Sequence, residues 1–173
     1  MVKLTYFSCF LFLFFISFFV QSSNAAYNVI SFGAKPDGNS DATQAFLKAW
    51  ASACNSATAS TIYIPKGRFL LKATIFRGPC KNRIIVRIDG TLMAPIDYRA
   101  LGNSGYWILF IQVNSVAVYG GTLDAKGVGF WACRKSGKSC LIGARVCYLI
   151  TSLVRIIHHF LTIKNFGIIS NLF

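Results

Sequence analysis

The chain has 173 residues, 54% of them hydrophobic, and its eighteen Lys and Arg against five Asp and no Glu give a formal net charge of +13. That length suits one domain with a sizeable core. No two cysteines stand two residues apart and the only histidines, His158 and His159, are adjacent, so zinc binding is not expected, nor is any other cofactor.

The chain opens Met1-Val2-Lys3, runs apolar from Phe7 to Val20, then turns polar and small from Gln21 to Ala26. One basic residue, an uncharged block of about fourteen residues and small residues before Tyr27 form the pattern of a secretory signal peptide over residues 1–26, cut after Ala25 or Ala26. A membrane anchor is the rival reading, but the block is shorter than the ~20 residues a span requires. The expected product is therefore secreted. Without Lys3, seventeen cations against five Asp leave a net +12. So basic a surface favours a polyanionic partner. The cations are scattered singly and the chain is exported, which points away from nucleic acid and toward an acidic extracellular polymer.

Tyr27 to Phe32 reads as a short strand, and Gly33 to Asn39, with Pro36 and Asp37-Gly38, as a turn. From Ala42 the apolar residues fall at 42, 45, 46, 49, 50 and 53, the stripe of an amphipathic helix. Asp41 is the expected N-cap, with Gln44 three residues on completing a capping box. Asp37 and Asp41 could be read as a catalytic carboxylate pair, but turn formation and helix capping account for both.

The period then changes to short strands broken by Gly, Pro and Asn: residues 61–64, 68–71, 84–88, 107–112 and 115–119. Ile88-Asp89-Gly90-Thr91-Leu92 and Tyr119-Gly120-Gly121-Thr122-Leu123 end alike, thirty-one residues apart. Strands that restart in the same phase suggest the stacked rungs of a solenoid. In a parallel β-helix the first rung needs a cover, which Ala45, Phe46, Ala49, Trp50 and Ala53 would supply. An antiparallel sandwich is the alternative. Export places Cys54, Cys80, Cys133, Cys140 and Cys147 where disulfides persist. Cys133 and Cys140 could close the basic loop Arg134 to Ser139, and Cys54 and Cys80 could tie the helix to the strands after it, leaving Cys147 odd.

Tyr27-Asn28-Val29-Ile30-Ser31-Phe32-Gly33-Ala34-Lys35-Pro36-Asp37-Gly38, then Asp41 to Phe46, Ile64-Pro65-Lys66-Gly67, Gly90 to Pro95, Gly120 to Gly127 and Phe130-Trp131-Ala132-Cys133 follow in order. Together they resemble the opening of plant polygalacturonases and their pectin-lyase-like relatives, over about Tyr27 to Arg145. The resemblance implies an all-β fold, a right-handed parallel β-helix represented by its first rungs with an N-terminal capping helix. It further implies the pairings Cys54 with Cys80 and Cys133 with Cys140, a place in the cell wall, and hydrolysis of α-1,4-linked galacturonan, the polyanion of pectin.

The catalytic acids of that family lie in an Asn-Thr-Asp motif and a later Asp-Asp pair, assisted by a Gly-His-Gly histidine and an Arg-Ile-Lys pair. All come after the matched region. This chain has no Asp-Asp, no His preceded by Gly and no acid after Asp124; Asn39-Ser40-Asp41 sits in the wrong place, and Thr162-Ile163-Lys164 lacks the arginine. No residue is carried over as catalytic. Asp89 and Asp124, at rung ends, could face one groove, though turn-forming Asp is common there. Trp107, Trp131 and Tyr106 could stack on sugars, though aromatic side chains are more often core.

Residues 146–173 form an apolar, Pro-free and acid-free tail that departs from the family pattern. A transmembrane tail would hold Arg155 and two histidines near its middle, where charge is expensive, so stable membrane insertion is not expected. Buried strands are a second reading, and translated non-coding or frame-altered sequence from a truncated gene model is the favoured one. The sequence reads as a secreted, monomeric, polygalacturonase-like protein of the cell wall that ends before its catalytic motifs. The alternative is a non-catalytic pectin-binding fragment or pseudo-enzyme.

Overall fold

The computed structural model describes residues 25–140 and the backbone of residues 145–150, 154–156 and 162–164. Most of the expected signal segment, His158 and His159 lie outside the described residues, as do the side chains of the tail, Cys147 included.

Thirteen described strands form three parallel sheets. Sheet A stacks β1 (Ala25–Asn28), β3 (Ser60–Ile64), β6 (Ile84–Ile88), β9 (Val116–Tyr119) and β12 (Val154–Ile156). Sheet B stacks β2 (Asp37–Asp41), β4 (Arg68–Leu70), β7 (Thr91–Met93), β10 (Thr122–Asp124) and β13 (Thr162–Lys164). Sheet C stacks β5 (Thr74–Arg77), β8 (Tyr106–Ile111) and β11 (Arg145–Ile150). The chain visits A, B and C in turn and pairs each strand with the one a full coil earlier. That is the right-handed parallel β-helix, and the antiparallel sandwich is excluded because every pairing is parallel.

Inward side chains stack in register from coil to coil. Phe69, Leu92 and Leu123 form one row, Ile62, Val86 and Val118 another, and Phe76 lies on Phe110 with ring centroids 5.1 Å apart. Each row removes apolar surface from water only because the neighbouring coil supplies its partner. At the corner between sheets A and B the repeated Gly-Thr-Leu is explained by close approach. The Thr122 N–H donates to the Gly90 carbonyl and the Thr91 N–H to the Gly67 carbonyl, so Gly67, Gly90 and Gly121 stack. A Cβ on Gly121, whose φ is +69°, would run into the Ile88 side chain and the Gly90 carbonyl.

The open end of coil one is covered by α1 (Thr43–Asn55), which buries Ala45, Phe46, Ala49, Trp50 and Ala53, the stripe expected. Its N-cap position falls on Ala42, one residue later than expected. Asp41 still receives the Thr43 N–H at 2.9 Å, and its second oxygen pairs with Lys72 at 3.1 Å. At the other end Asn82 donates to the Ala53 and Ser56 carbonyls and the Lys81 N–H to that of Cys54, satisfying acceptors the helix cannot. The Cys54–Cys80 disulfide closes this junction, with Cα atoms 4.5 Å apart.

Three expectations change. The strand read over Tyr27 to Phe32 stops at Asn28, whose side chain accepts the Ile30 N–H and starts a 3₁₀ turn, Val29–Phe32. The end of the stretch read as a turn, from Asp37, and the expected cap Asp41 belong to β2, which pairs through these two residues with β4 with an irregular register between them. A second helix, α2 (Val128–Lys135), appears where none was expected. The tail's described backbone adds β11, β12 and β13 to sheets C, A and B.

Candidate functional site

The outer face of sheet B carries an open cleft of about 370 Å³. Asp37, Asn39, Arg68, Met93, Pro95 and Lys126 are among the residues that line it. The register explains why they meet: Asp37 pairs with Arg68, and Leu70 with Met93, which pairs with Asp124. Strand side chains alternate, so Phe69 and Leu92 enter the core while their neighbours stand outward in the cleft.

Arg68 lies across Met93, its Nε 3.1 Å from the thioether sulfur, and has no ion-pair partner among the described residues. Lys126 holds Asp124 at 2.6 Å, and Asp124 also accepts the Lys126 N–H. The backbone of Lys126 has φ +49°, uncommon outside glycine, at the point where the chain leaves β10. Arg68 and Lys126 thus face one groove together with the Asp37 carboxylate, and of the two cations Lys126 is already paired with Asp124.

The five aspartates are all accounted for locally. The Ser40 hydroxyl, followed by the Asn39 and Ser40 N–H groups, holds the Asp37 carboxyl down at about 2. Partial burial pushes Asp41 up, but the Thr43 hydroxyl and N–H and the Lys72 ammonium outweigh it, leaving the group below the ordinary carboxylate range. The Tyr63 hydroxyl, 2.8 Å from Asp89, and then Arg87 hold Asp89 below that range too. Asp97 accepts the Arg99 N–H and starts the 3₁₀ turn Tyr98–Leu101. A general acid for glycoside cleavage needs its carboxyl raised, not lowered.

Asp89 and Asp124 do not meet. Asp124 pairs with Met93, the last residue of β7, whereas Asp89 stands at the corner before β7 begins, next to Gly90. Trp107 is fully buried and donates its indole N–H to the Leu71 carbonyl, which removes it from any sugar surface. Trp131 and Tyr106 are half-buried. Cys133 and Cys140 are bonded, closing the basic loop between them.

Arg68 was not singled out from the sequence. Gly67-Arg68-Phe69 is a third copy of the Gly-Thr-Leu repeat, and Arg stands where the other copies have Thr, which is the signal that marks it.

Residues 26–95 match the family described as rhamnogalacturonase A/epimerase, pectate lyase-like. A Prunus persica polygalacturonase is 52% identical over 125 residues, covering 71% of this chain and 32% of that protein. A Gossypium hirsutum polygalacturonase is 42% identical over 118 residues, covering 68% and 29%, and a Zea mays exopolygalacturonase 37% identical over 108 residues, covering 62% and 26%. The chain thus spans about a third or less of the length of these relatives.

Proposed function

We propose that this chain, whose N-terminal part is similar to that of plant polygalacturonases, serves pectin breakdown in the cell wall, its described coils holding galacturonan along the outer face of sheet B. The observation that carries this reading is Arg68, without an ion-pair partner among the described residues, on an open cleft that Lys126, held by Asp124, also lines. A guanidinium and an ammonium spaced along a groove suit a polymer with one carboxylate per sugar. The similarity to named polygalacturonases supports the same substrate class. Secretion and a monomeric state belong to the same proposal.

Bond cleavage is assigned to none of the five aspartates, since each has a local structural role and none of the three with a shifted carboxyl is shifted upward. The test is affinity electrophoresis through polygalacturonate, alongside a reducing-end assay. Retardation that weakens with salt, is lost on methyl-esterified pectin and falls in the Arg68→Ala/Lys126→Ala variant, with no new reducing ends, is expected. Equal retardation by the esterified polymer, or none by either, overturns the reading.

A further inference from the structure

The helix α2 raises a problem that the cleft does not solve. It buries none of its residues, although it carries Phe130 and Trp131, and Val128 is 71% exposed. Large apolar side chains left in contact on a surface mark an interaction site more often than a fold requirement. Their surroundings say what kind.

The chain leaves sheet B for α2 directly after β10, and leaves it for the 3₁₀ turn Tyr98–Leu101 directly after β7, one coil earlier. Since β7 and β10 are paired, turn and helix stand side by side at one edge of the cleft, where Pro95 and Lys126 line it. Tyr98 meets Phe130 edge-on at 5.6 Å, and Phe130 meets Trp131 at 5.3 Å. The Arg99 guanidinium lies 5.6 Å from the Tyr98 ring and that of Arg134 5.9 Å from the Phe130 ring.

Stacking on a ring occupies the face of a guanidinium and leaves its N–H edge outward. Neither Arg99 nor Arg134 has an ion-pair partner among the described residues. Lys135 and Lys138 follow on the same lobe, fastened by Cys133–Cys140, and no acid occurs from Ala125 to Cys140. An apolar peptide would strand these cations at its border. A sugar that carries a carboxylate offers both an apolar ring face for the aromatics and an anion for the arginine edges.

We infer that Tyr98, Arg99, Phe130, Trp131 and Arg134 form a second binding surface for acidic sugar, continuous with the cleft, that grips galacturonate units beyond those on Arg68 and Lys126. This rests on the galacturonan reading above and extends it.

The experiment titrates the full chain with a defined-length oligogalacturonate, following tryptophan emission and calorimetric affinity. Trp50 and Trp107 are buried, so Trp131 is the reporter among the described residues. The wild type is expected to change emission on binding, and Trp131→Phe to lose the change while still binding. The double exchange Arg99→Glu/Arg134→Glu, at exposed guanidinium groups, is expected to weaken affinity about tenfold with an unchanged melting curve. Affinity unchanged in that variant overturns the inference and leaves the cleft reading intact, whereas affinity equal for a neutral oligoglucan overturns both. A patch covered by a second copy, seen as a dimer that the double variant splits, also overturns it. No binding by the wild type overturns both.

Discussion

Asp37 illustrates how much a single exposed residue can do through local geometry. Its carboxylate gathers two backbone N–H groups at 2.8 Å and the Ser40 hydroxyl at 2.6 Å, and so titrates at about 2 rather than 3.8. Because the folded value is the lower, the contribution is fully present above 3.8 and is lost as pH falls through about 2. Melting temperature measured from pH 6 to 2 is therefore expected to fall less steeply below pH 4 for Asp37→Asn than for the wild type. Curves of equal slope would show that the turn does not couple to folding. Asp41 and Asp89, also held low, keep the remaining acid sensitivity in the same direction. That these acids are structural was legible from turn and capping chemistry. Their partners Lys72 and Tyr63 were not, since they arrive from other coils.

Among elements, α1 was the most legible because one face of it is apolar at helical spacing and the fold has one open end for that face to cover. The strands with alternating burial, such as β3 and β6, were legible for the same reason in a different period. β5 was not: Thr74 to Arg77 follows Leu71-Lys72-Ala73 with no Gly, Pro or Asn to set it off from the strand before it. α2 was not, because no side chain caps it and Gly129 weakens it from within. Position in the stack decides what each aromatic does. Trp107 reaches across the interior to donate to the Leu71 carbonyl at 2.8 Å, joining sheet C to the end of sheet B. Trp107→Ala is expected to cost about 3–5 kcal/mol in urea denaturation, from the cavity and the orphaned carbonyl together. Trp107→Phe should recover most of the packing while leaving that carbonyl unpaired. A loss below about 1 kcal/mol for the alanine variant would mean the coils close over the gap, contrary to rows held in fixed register.

On the scale of the whole molecule, charge and architecture bear on one another. A stack of coils gains its core from neighbour-to-neighbour rows, so extended surfaces remain outside, and here they carry a formal net charge of +13 over the full sequence. Three ion pairs among the described residues offset little of it. The coil architecture was legible because Thr91 and Thr122 repeat at the interval that places them opposite each other. The platform at Tyr98 and Phe130 was not, because it joins a 3₁₀ turn and a helix with no shared pattern. Uncompensated positive charge destabilises the compact state by self-repulsion, and a bound polyanion relieves it while binding only the folded arrangement of cations. Polygalacturonate at a hundred times its dissociation constant should then stabilise the fold by about 2.7 kcal/mol. For a domain of this size that is a rise in melting temperature on the order of 10 °C. In 1 M salt, with a screening length of ~3 Å, the rise should vanish, and a neutral glucan should give none at any salt. A rise that persists in 1 M salt would trace the effect to the aromatic platform rather than to charge, whereas a rise with the neutral polymer would trace it to crowding and remove the electrostatic account.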